Sequence, residues 1–95
     1  MWFTVHNDAP VVPPDMMRLL WATTNRITRS DQVLGPNQRI STYDALRAVT
    51  INAAYQHFEE DTKGSIEVGK QADLVVLSKN PLDNPSTDLL SLIHI

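Results

Sequence analysis

Only two stretches of the chain have the β-branched and aromatic character of strands, Trp2 to His6 and Ala72 to Leu77, and the pattern between them is helical. Two such runs cannot close a sheet by themselves, because a strand needs neighbours to take up its backbone N–H and C=O groups. With 95 residues and ordinary apolar content the chain forms at most one small domain, with little margin for folding alone.

The first run stops at Asn7-Asp8-Ala9-Pro10, which reads as a buried strand delivering its end into a loop. After Pro13-Pro14, Asp15 is placed to cap a helix over 14–28. Its apolar positions Met16, Leu19, Leu20, Thr23 and Ile27 recur at steps of three and four. Leu34-Gly35-Pro36-Asn37 is a break. Ser41-Thr42-Tyr43-Asp44 then has capping-box form ahead of Leu46, Val49 and Ala53, predicting a second helix over 41–58.

From Glu59 the character changes. Gly64 and Gly69 punctuate a charged turn, and Ala72 to Leu77 follows without helical periodicity, as a strand covered on both faces would. Asn80 to Pro85 is loop. The ending LSLIHI, residues 90–95, reads as a non-native tail, the translation of a transposon end ligated in sequencing libraries, and is set apart from fold reasoning.

Eight Lys and Arg against eleven Asp and Glu, spread without a basic stripe, exclude a nucleic-acid or anionic-membrane surface. The absence of cysteine excludes a disulfide framework and thiolate zinc sites, and it suits a reducing, cytoplasmic compartment. No apolar run approaches a membrane span, and the start lacks the form of a signal peptide.

His6-Asn7-Asp8 is the one local constellation with catalytic form. Residues two apart on a strand point to the same face, and imidazole and carboxylate both bind divalent metals or move protons. The bland alternative is a turn-capping Asp beside a half-buried His. Catalytic zinc takes three protein ligands and keeps an open position, and this place offers two. His57 suits the C-terminal dipole of the second helix, and His94 belongs to the tail. Asp73 is placed to accept backbone N–H groups of the Gly69-Lys70 turn.

Taken together, HNDAPVVPPD, LGPNQRISTYDALRAVTINAAY and KGSIEVGKQADLVVLSKNPL resemble the C-terminal end of the amidohydrolase superfamily, of the amidohydrolase 3 type, from Phe3 to about Leu82. The resemblance implies an α/β fold, a fragment of a (β/α)8 barrel plus part of a C-terminal β-sandwich. Residues 1–58 would be the last barrel strand and following helices, and 59–89 the returning sandwich segment. Asp8 would then lie at the C-terminal mouth of the barrel, where barrel enzymes keep their chemistry.

The resemblance further implies that Asp8 is a metal ligand and proton shuttle, with His6 lining the site. The parent enzyme would use a divalent metal, zinc, to hydrolyse small-molecule amides at non-peptide C–N bonds. The His-x-His pair, the bridging lysine or acid and the mid-barrel histidines of that family have no counterpart here. The isolated chain is therefore expected to be inactive, to hold no metal tightly and to self-associate through bare apolar faces. The competing reading is a free-standing α+β module with a structural or binding role.

Overall fold

The computed structural model describes residues 2–92. Helix α1 (Met16–Asn25) starts where one side chain takes two free N–H groups: the Asp15 carboxylate accepts from Met17 N at 3.0 Å and Arg18 N at 3.3 Å. It ends short of the expected 28 because Arg26 turns left-handed, φ 56°, and donates its N–H to Ala22 O at 2.8 Å. The Arg26 guanidinium also donates to Leu34 O at 2.7 Å, closing the excursion that follows. Gly35, φ 59°, then leads into a 3₁₀ turn at Pro36–Gln38.

The expected second helix is two. Helix α2 (Thr42–Val49) is capped by Ser41, whose hydroxyl accepts from Asp44 N at 3.1 Å. Helix α3 (Ile51–Gln56) follows after Thr50, whose backbone leaves the helical region at φ −120°, ψ −97°. The Thr50 hydroxyl donates back to Leu46 O at 2.7 Å, a local bond that competes with the helix ladder.

Gly64 presses its backbone into the same break. A Cβ there would stand 2.8 Å from Ala54 Cβ and 3.0 Å from Ile51 Cα, and at φ +94° glycine is the residue that fits.

The core is Met17, Leu20, Ala45, Leu89 and Leu92, with Trp21, Ile40, Leu46, Val49 and Leu77 packed against it. It therefore draws on both ends of the chain, and α1 packs mainly on the 3₁₀ helix Ser86–Ser91. Asn25 fixes that contact by donating to Ser86 O at 3.0 Å. Leu92, within the stretch set apart as a tail, is 5% exposed. Residues 93–95, His94 among them, lie outside the described residues.

The expected α/β architecture is overturned. Among the described residues there is no strand, and β pairing is confined to isolated bridges such as Ile27 with Val33. A β-type run becomes a strand only with a second run about 4.8 Å away. Residues 2–6 lie instead against α3, where Phe3 O accepts from Asn52 and the Thr4 hydroxyl donates to Gln56.

Residues 72–76, expected to be covered on both faces, make no backbone hydrogen bond among the described residues. Leu74, Val75 and Val76 are 62%, 66% and 59% exposed. With water free to reach N–H and C=O, nothing compels pairing. The α/β barrel-and-sandwich fragment is therefore replaced by a helical chain with extended connections, and the α+β fold of the alternative module is likewise not found among the described residues. Among the described residues no helix is long and apolar enough to cross a membrane.

Candidate functional site

The N-terminal segment reaches its position residue by residue. The Trp2 ring meets the Tyr55 ring edge-on at 4.7 Å between centroids, and the Arg47 guanidinium carbon stands over the Trp2 ring, 5.4 Å from its centroid. Phe3 O accepts from Asn52 Nδ2 at 3.0 Å. The Thr4 hydroxyl donates to Gln56 Oε1 at 2.9 Å. An open cavity of about 290 Å³ runs between this segment and α3.

Beyond it, His6 and Asp8 are exposed. Asp8 leaves the extended region at φ 53°, and its carbonyl accepts from Val11 N at 2.9 Å, closing a turn. The rule that places residues two apart on one face applies to continuous strand, so it no longer governs the His6 and Asp8 pair. The turn presents the Asp8 carboxylate to solvent rather than to a third donor. Among the described residues no three His, Cys, Asp or Glu side chains converge as a metal site would require.

Four further titratable residues line a larger cavity of about 650 Å³, beside α3 and the glycine turns. Its polar rim includes His57, Glu59, Lys63 and Asp73, and its floor includes Leu46, Val49 and Leu74. His57 closes α3 through its backbone N–H, shared between Ala53 O at 3.3 Å and Ala54 O at 3.2 Å. Glu59 and Lys63 pair at 2.8 Å. That hydrogen bond, and then the opposite charge, hold the Glu59 carboxyl below its ordinary range and the Lys63 ammonium above its own.

Lys70 ties the turn by donating to Ser65 Oγ at 2.8 Å and pairing with Glu67 at 2.9 Å. The bonds expected from this turn to Asp73 are not formed; Asp73 is exposed on the cavity rim.

Asn52, Gln56, Arg47 and Tyr55 make these contacts with the N-terminal segment, and pattern reading gives none of them a part there. Asn52 alone left a signal: it continues the buried stripe of Ala45 and Ala48 at helical spacing, yet it is polar.

Residues 2–92 match the model of the amidohydrolase family. The chain is 33% identical over 86 residues to the N-substituted formamide deformylase of Arthrobacter pascens, covering 90% of the chain and 16% of that protein. It is 38% identical over 84 residues to Protein LONG AFTER FAR-RED 3 of Arabidopsis thaliana, covering 87% of the chain and 14% of the relative. A shorter match, 50% identical over 44 residues, joins 46% of the chain to 10% of a probable imidazolonepropionase of Homo sapiens. The chain thus spans 16% or less of the length of these relatives. No solved structure matches it.

Proposed function

From the premise that the chain belongs to the amidohydrolase family, we propose that it is the part of a hydrolase of non-peptide C–N bonds that supplies one proton-handling carboxylate, Asp8. The observation that carries the reading is the continuous match over residues 2–92, which brings His6-Asn7-Asp8 with it. One relative is named a deformylase of N-substituted formamides and another an imidazolonepropionase. A small-molecule amide is the substrate class in keeping with those names.

In this reading water attacks the amide carbon, and the Asp8 carboxylate takes the proton that the water gives up. The C–N bond then breaks, and Asp8 passes that proton to the departing amine. Its exposure on a turn suits a group that must meet a substrate. His6 lines the approach.

The reading gives the parent enzyme a divalent metal, zinc, and the described residues do not fit one. Zinc in a catalytic site takes three protein ligands, and no three donors converge here. In this reading the 95-residue chain by itself hydrolyses no amide and holds no metal tightly.

One observation favours a module without catalysis: the chain closes a core of its own from both ends. A chimera separates the two readings. The matching 86-residue segment of the Arthrobacter deformylase is replaced by this chain and formamide hydrolysis is assayed. The catalytic reading expects activity, lost by about 10²-fold or more in Asp8→Asn. A folded chimera that is inactive, or one indifferent to Asp8→Asn, supports the module instead.

A further inference from the structure

The contacts along α3 have a use that stability does not explain. Asn52 is 6% exposed, and one amide hydrogen bond, from Nδ2 to Phe3 O, crosses 49 residues to the N-terminal segment. Its other polar atom, Oδ1, is buried without a partner among the described residues. A buried acceptor left unpaired costs about 1–3 kcal/mol, more than a neutral hydrogen bond returns. An apolar side chain of the same shape would serve the packing of α3 better. What leucine could not do is hold Phe3.

Gln56, one helical turn further on, accepts from Thr4, and Tyr55 meets Trp2. Three consecutive residues just ahead of His6-Asn7-Asp8 are thus each held by α3. Four residues separate the Asn52 anchor at Phe3 from the Asp8 turn, and the turn closes on its own carbonyl through Val11 N.

We propose that Asn52 is a positioning residue: with Gln56 it docks residues 2–4 on α3 and so fixes where the Asp8 carboxylate is presented. The inference rests on the reading that Asp8 carries chemistry, and it adds the device that aims it.

The test uses the full chain labelled with ¹⁵N and compares wild type with Asn52→Leu and Gln56→Leu. In wild type the amides of residues 3–8 have order parameters near the rigid value of about 0.85, and the Asn52 side-chain NH₂ exchanges slowly with solvent. In Asn52→Leu, order over residues 3–8 falls below about 0.6 while the thermal midpoint is unchanged or higher. A residue of merely structural use would give the reverse, a lower midpoint with the segment still ordered.

Gln56→Leu gives a smaller loss confined to residues 4–8. Should Asn52→Leu fail to fold, wild type decides alone: a rapidly exchanging Asn52 NH₂ with a disordered 3–8 segment overturns the proposal. The two ideas fail separately. Unchanged order in Asn52→Leu refutes the positioning role while leaving Asp8 untouched, whereas an active Asp8→Asn chimera refutes the role of Asp8 and leaves the docking in place.

Discussion

Asp15 shows how much one side chain at a helix start can carry. Its Oδ1 satisfies both Met17 N and Arg18 N, and Asp15→Ala should cost about 1 kcal/mol, a drop of roughly 4–8 °C in thermal midpoint by circular dichroism. Asp15→Asn should recover most of it. Gly64→Ala should be worse. It forces a Cβ to 2.8 Å from Ala54 at φ +94°, and a destabilisation of more than about 1 kcal/mol in urea titration is expected.

The exposed Glu59 and Lys63 pair sets a weak pH dependence with a definite sign. Glu59 is lowered from 4.5, so its contribution is present above that value and is lost as pH falls through the folded-state pKa. Lys63 is raised from 10.5, so its share is present below that value and is lost as pH rises beyond it. Both losses should vanish at 1 M salt, where exposed charges are screened. Caps such as Asp15 and Ser41 are legible in sequence because donor and acceptor lie within three residues. The left-handed Arg26 and the Asn52 bond answer to partners 8 and 49 residues away, which no local pattern encodes.

At the scale of elements, helical periodicity located α1 and the single stretch that α2 and α3 divide, because α1 and α2 bury apolar residues along one face. It missed the interruption at Thr50, a polar residue inside an otherwise continuous pattern. The β-type runs misled for a different reason: propensity describes how a residue fits a pleated surface, and a sheet also needs a neighbour. Residues 2–6 found α3 and residues 72–76 found water.

The decisive element contact is α1 on Ser86–Ser91. Leu89 is fully buried there, and Leu89→Ala should cost about 2–5 kcal/mol. That is a large part of the stability of a chain this size, and chemical denaturation followed by tryptophan fluorescence would measure it. A cost below 1 kcal/mol would mean that the contact is peripheral.

For the whole molecule, apolar surface is divided unequally. Phe58, Ile66 and Val68 are 90%, 87% and 107% exposed, and Leu74, Val75 and Val76 are more than half exposed. Surface of this kind on a small monomer promotes association. Sedimentation velocity on the isolated chain should show mass rising with concentration, and Phe58→Lys with Val68→Lys should suppress the rise. A strictly monomeric wild type at high concentration would argue against it. The candidate site was legible only as a motif: His6-Asn7-Asp8 stands out in sequence, whereas its exposure on a left-handed turn and its mooring through residues 2–4 are tertiary facts.

The closing of the core by both ends of the chain has a consequence for biosynthesis. Helix α1 is synthesised well before Leu89 and Leu92, the side chains that cover its Met17 and Leu20 face. Until they are made that face has only part of its cover, from Ala45 and its neighbours. Closure of the core therefore waits on Leu89 and Leu92, and a chain ending before Ser86 would leave the Met17 and Leu20 face of α1 without that cover.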